Sequence, residues 1–255
     1  MHRMEQPDVV VEVAVDSIAG ALAAEQAGAH RIELCAALEL GGVTPGAGLL
    51  AAVKDWVRIP VFVIVRPRGG DFLYDEGEFT AMEHEVVHAR ELGADGVVIG
   101  ILRRDGTLDT ERMARLVALA KPMAVTCHRA FDMCVDQRAA LEQLVALGIE
   151  RVLTSGGQKT ARQGAMQVAA LAEQAAGRIT VMAGAGVRSD HVAELVKRTR
   201  VREVHLSAAA LAPSAMSWRN PFVSMGGAAQ PSEYEQRRTD GAEVARVVAA
   251  VRAGR

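Results

Sequence analysis

Aromatic residues make up only 4% of this 255-residue chain, and cysteine occurs three times. Aromatics are too few to alternate with a basic stripe, and with a formal net charge of −2 the chain has no electrostatic case for nucleic acid or an anionic membrane. Cys35, Cys127 and Cys134 are an odd, sparse set, so free thiols are expected rather than a disulfide framework. No apolar run reaches the roughly 18 residues of a membrane span. The first residues, Met1 to Pro7, lack the apolar centre and small-residue cleavage site of a secretory signal, so a cytoplasmic protein is expected. No Gly-x-Gly-x-x-Gly follows the first strand, and no tight hairpin joins two strands, which weighs against an open dinucleotide-binding sheet and against antiparallel pairing.

What is present is a repeated strand-and-helix plan. The clearest strand, Pro60 to Val65, is β-branched on both faces and breaks off at Arg66-Pro67-Arg68-Gly69-Gly70. A strand buried on both faces belongs to a parallel sheet covered by helices. Further strands are expected at Val9–Val15, His30–Leu34, Gly96–Ile101, Met123–His128, Arg151–Thr154, Ile179–Ala183 and Glu203–Leu206. Helices fill the gaps: from Ser17 to near Gly28, Gly48–Trp56, a segment capped by Asp75 with Glu78 three residues on, Thr110–Ala120, Asp136–Leu147, Gly164–Ala176 and Ser189–Arg198. Eight nearly equal units predict an α/β fold of one domain over residues 1–255, a (β/α)8 TIM barrel. A loop over about residues 208–238, rich in Ala, Ser, Pro and Gly, should lie over the C-terminal face, and a terminal helix should span about 241–252.

Ionisable residues fall within or at the ends of several strands: Glu12, Glu33, Arg66, His128 and His205. Carboxylates inside a barrel need a cation, a histidine or a metal beside them, and this fold draws its catalytic side chains from the ends of several strands. The structural alternative is an ion-pair network closing the barrel top. On an enzyme reading, Glu12 or Glu33 is general acid or base, His128 or His205 its partner, and Arg66 with Arg68 fixes an anion. The turns Ser155-Gly156-Gly157 and Ala183-Gly184-Ala185-Gly186, with Ser207 after the last strand, could hold an anion through backbone amides or could be glycine-requiring tight turns. Alternation points Cys35 inward with Glu33 and Cys127 outward, while Cys134 follows the fifth strand and could approach the mouth. His84-Glu85-Val86-Val87-His88 matches a zinc-hydrolase pattern, but both histidines fall opposite the apolar stripe of Phe79, Met82 and Val86, so it is set aside as a solvent-facing coincidence.

Several longer motifs together resemble the CutC family: Arg31 to Ala37, Gly41 to Pro45, Arg66 to Phe72, Thr126 with His128 to Asp132, Val152 to Gly156, and Met182 to Arg188. The resemblance covers nearly the whole chain and implies a cytosolic barrel named for copper homeostasis, forming a homodimer. Copper(I) has been attached to cysteines in some members. Cys35 matches that pattern best, with Cys134, Met216 or Met225 as a second soft ligand. The chain departs from the pattern at Ala14 and Val15, where relatives often carry cysteine. Three functions therefore stand open: copper(I) binding, an acid–base enzyme acting on a small anionic metabolite, phosphorylated ones included, and a barrel that binds a metabolite without catalysis.

Overall fold

The structure is a computed structural model, and it describes residues 8–223 and 233–253. Eight parallel strands close into a barrel, β1 (Val10–Val15), β2 (Arg31–Leu34), β3 (Val61–Ile64), β4 (Gly96–Ile99), β5 (Ala124–Cys127), β6 (Arg151–Thr154), β7 (Thr180–Ala183) and β8 (Glu203–Leu206), with β8 returning to pair with β1. Between them run α1 (Ile18–Gln26), α2 (Ala47–Trp56), α3 (Glu76–Glu91), α4 (Thr110–Ala120), α5 (Gln137–Ala146), α6 (Ala165–Ala175) and α7 (Val192–Thr199). Local chemistry fixes where helices begin. The Ser17 hydroxyl accepts from the Gly20 amide, Asp75 and Glu78 form the reciprocal capping box expected from their spacing, and Asp109 and Asp136 cap α4 and α5. His84 and His88 are exposed on α3, away from its buried face. Among the described residues no helix is long and apolar enough to cross a membrane.

Alternation along each strand separates two cores. The outward set, including Val11, Val13, Ile32, Leu34, Val61, Val63, Val97, Ile99 and Cys127, packs under the helices. The inward set includes a small apolar cluster, Cys35, Phe62, Ile64 and Val98, together with the polar side chains of Glu12, Arg31, Glu33, Thr126, Arg151, Glu203 and His205. The Phe62 ring fills the space beside β4, where a Cβ added to Gly96 would meet it at 2.5 Å.

Two expectations need correcting. Ser189 does not open α7, which starts at Val192; its amide and hydroxyl instead donate to Glu243 at 2.9 and 3.0 Å, tying the β7 side to α8 (Gly241–Ala253). The segment after β8 is not loop throughout, because β9 (Ala209–Pro213) and β10 (Glu235–Thr239) pair as an antiparallel ribbon, Ala209 opposite Thr239 and Pro213 opposite Glu235. Ala-Ala-Leu-Ala-Pro and Glu-Gln-Arg-Arg-Thr lack the β-branched alternation that announces a strand, so pairing rather than propensity makes this ribbon. Met225 lies outside the described residues.

Gly96→Ala should force its new methyl into the Phe62 ring and cost about 1–3 kcal/mol, read from urea unfolding. A change below about 0.5 kcal/mol, the range of substitutions that touch nothing, would contradict this packing.

Candidate functional site

Barrel closure brings three inward polar residues side by side: Glu12 on β1 stands opposite Arg31 on β2 and opposite His205 on β8. The Arg31 guanidinium is held between the Glu12 and Glu203 carboxylates, donating to both. Arg151 adds a second cation, with its Nε 2.6 Å from Glu203 and its Nη1 3.3 Å from the Thr126 hydroxyl. Both guanidiniums lie over the Phe62 ring, at 4.9 and 5.3 Å from its centroid. Above this network, His205 Nδ1 bonds Glu12 Oε1 at 2.8 Å, and its Nε2 faces Glu33 Oε2 at 3.7 Å. The Cys35 thiol donates to the same Glu33 carboxylate at 3.6 Å.

The electrostatics divide the two glutamates. Burial opposes ionisation of Glu12, but Arg31 and the hydrogen-bonded His205 prevail and hold its pKa at about 2. Burial raises Glu33, further helped by the charge on Glu12; His205 pulls the other way without overcoming it. Burial disfavours imidazolium at His205, yet the Glu12 bond and the charges of Glu33 and Glu12 outweigh this and raise its pKa. A carboxyl pushed up beside an imidazole pushed up is the arrangement that acid–base chemistry uses. The pair opens into a cavity of about 200 Å³, continuous with solvent and lined also by Asp16, Arg129, Gly186, Ser207, Arg237 and Arg238.

The remaining candidates are distributed differently. His128 points inward but belongs to a second group with Arg66 and Phe72. Phe72 sits 4.9 Å from the Arg66 guanidinium and 5.0 Å from the His128 ring. Burial and the charge of Arg66 lower the His128 pKa to about 3, and its Nδ1 accepts from the Ala130 amide at 3.2 Å, so it does not pair with either glutamate. Arg66 likewise meets no carboxylate: its Nη1 donates to the carbonyls of Leu40 and Gly42 and its Nη2 to that of Gly70, at 2.8–2.9 Å. It ties loops together. Arg68 turns to Glu78 and Asp71. The Ser155-Gly156 turn is filled from within, since the Ser155 and Gly157 amides donate to the Asp132 carboxylate and the Gly156 amide to Thr154 Oγ1. Gly184 is a packing glycine, where a Cβ would strike Leu153 at 2.4 Å, and its amide donates to the Thr154 carbonyl. Gly186 and Ser207 do line the cavity.

The thiols do not meet. Cys35 lies in the interior cluster, whereas Cys134 packs on the outer core and donates to the Ala130 carbonyl, not toward the mouth. Among the described residues no three His, Cys, Asp or Glu side chains are grouped to hold a metal. Arg31, Arg151 and Glu203 escaped the sequence reading although a signal existed: Arg31 and Glu203 each precede an identified inward residue by two and so share its face. Arg237 and Arg238 carried no signal, because the ribbon that presents them did not read as strand.

Comparison with known proteins gives a consistent result. The model of the CutC family matches residues 9–210. A family protein CutC of Mesorhizobium japonicum is 45% identical over 96% of this chain and 95% of its own length. The human copper homeostasis protein cutC homolog is 47% identical over 91% of this chain and 85% of its own. The crystal structure of the Streptococcus agalactiae CutC protein, 32% identical, covers 78% of this chain and 98% of that one with a TM-score of 0.75.

Replacing Arg31 with Met should strand Glu12 and Glu203 in the interior and cost about 3–5 kcal/mol at neutral pH, measured by urea unfolding. Glu12 has a depressed pKa, so its contribution is present above its ordinary 4.5 and disappears as pH falls toward about 2. Stability of the wild type should fall steeply through that window, and the Arg31→Met variant should lose much of that slope. Equal slopes would contradict the pairing.

Proposed function

The chain belongs to the CutC family, and from that premise we propose that its barrel mouth binds a small anionic metabolite and moves a proton on or off it, with Glu33 and His205 as the exchanging pair. The observation that carries this reading is the line Glu12–His205–Glu33, anchored below by Arg31 and ending at an open cavity that carries arginines. Glu12 remains ionised and orients His205, whose Nδ1 proton it accepts. This leaves Nε2 and the Glu33 carboxyl as the groups able to trade a proton with a ligand carbon or oxygen. The arginines supply the attraction for the anion. Under this proposal the protein works in the cytoplasm and as a homodimer, for which the exposed Met216, Trp218 and Phe222 beyond β9 offer apolar surface.

Relatives carry names in copper homeostasis, but the donor set described here does not suit a closed copper(I) site. Cys35 is the one thiol in the interior, burial and the neighbouring Glu33 charge push its pKa well up, and its nearest partner is a hard carboxylate oxygen. Met182, the inward thioether on β7, faces the Arg31 guanidinium at 3.5 Å. The copper reading would thus rest on Cys35 alone among the described residues near the mouth.

The acid–base reading is tested by incubating the protein in deuterated buffer with a panel of small carboxylated and phosphorylated metabolites, following carbon-bound proton exchange by NMR. Glu33→Gln should slow exchange of the active compound by about 10²–10⁴-fold, and His205→Asn by a comparable factor. Exchange at the wild-type rate in both variants would sink the reading.

A further inference from the structure

The cavity holds more positive charge than proton transfer at its floor requires. Three arginines line it, Arg129, Arg237 and Arg238. Arg129 is already engaged, with its Nε 2.8 Å from Asp132 and its Nη2 on the Ser155 hydroxyl. The two ribbon arginines are not. Among the described residues the Arg237 side chain makes no hydrogen bond or ion pair, and the Arg238 side chain has one neutral contact, Nη2 to Gln236 Oε1 at 2.9 Å. Both are exposed, and both sit on β10 opposite Leu211 and Ala210 of β9. Of the arginines that line the cavity among the described residues, Arg237 and Arg238 are therefore the two not held by a carboxylate.

The turns that wall the cavity add a second, independent observation. After β7 the chain passes through Ala185 at φ 78° and Gly186 at φ 68°, and after β8 through Ala208 at φ 44°. Alanine in this region carries strain, which collects at ligand-holding turns. The β6 turn shows what such a turn does here, since its amides grip an anion, the Asp132 carboxylate. No carboxylate accepts from the amides of residues 185–187 or 207 among the described residues. A barrel turn at the ends of the seventh and eighth strands is a recurrent place for phosphate. A carboxylate offers two oxygens and one charge, enough for one guanidinium fork; a phosphomonoester offers three oxygens and close to two charges near neutral pH.

We propose that β10 is the phosphate-binding element of this mouth, with Arg237 and Arg238 supplying the positive charge that draws the phosphoryl group of a small phosphomonoester to the β7 and β8 turns. Its reacting part is then held at Glu33 and His205. This rests on the acid–base reading for what happens to the ligand, whereas the binding half is measurable by itself.

The test is calorimetric titration of the full chain with inorganic phosphate and, separately, with acetate at matched ionic strength. Wild type should take up one phosphate, at least tenfold more tightly than acetate. Arg237→Ala with Arg238→Ala should weaken phosphate binding tenfold or more without changing the circular dichroism spectrum, and the corresponding double lysine variant should fall between. Undetectable phosphate binding, no preference over acetate, or a ribbon double variant that binds like wild type would each overturn the proposal. Phosphate binding that depends on the ribbon, combined with proton exchange indifferent to Glu33→Gln, would remove the acid–base reading and keep the phosphate site. The opposite pattern would remove the phosphate site alone.

Discussion

A barrel interior that contains two glutamates from neighbouring strands must neutralise them, and in this chain the Arg31 guanidinium does so by bridging Glu12 and Glu203. Taking these charges out of water is costly, and only a cation with several donors fixed in a plane can satisfy two carboxylates at once. Arg151 closes the far side of Glu203, and the Phe62 ring supplies the face on which both guanidiniums rest. Everything above depends on this base. Glu12 stays ionised because Arg31 is there; His205 is oriented and its pKa raised because Glu12 is ionised; Glu33, left without a guanidinium, is the carboxyl whose pKa burial raises.

The dependence explains why two carboxylates on adjacent strands behave oppositely. Glu12 is 1% exposed and Glu33 5%, so burial alone does not distinguish them. Their partners do: Glu12 has a guanidinium and an imidazole in contact, while Glu33 has an imidazole nitrogen at 3.7 Å and a thiol at 3.6 Å. The same logic assigns the other side of the mouth a structural task. Arg66 satisfies three loop carbonyls, and its charge, with burial, keeps His128 neutral.

Much of this was legible from residue order. Period-2 alternation placed Glu12, Glu33, Arg66, His128 and His205 inward and Cys127 outward, and eight strands separated by capped helices specified the barrel. Residue order said less about which inward residues meet. Arg66 and His128 also face the barrel interior but contact each other through Phe72 rather than the glutamates. The Ser155 turn looked available as an anion site because the side chain that fills it, Asp132, arrives from another strand's loop, 23 residues away. The ribbon arginines were invisible for a different reason: β9 and β10 form through mutual pairing, which no local pattern encodes.

Glu12 sets the proton affinity of His205 through the hydrogen bond to Nδ1 and its charge. Following the His205 ring signals by NMR across pH in wild type and in Glu12→Gln measures it directly. His205 should titrate above the ordinary histidine value of 6.5 in wild type and drop markedly once Glu12 cannot ionise. A His205 that titrates at or below 6.5 in wild type, or that is unmoved by Glu12→Gln, would contradict it.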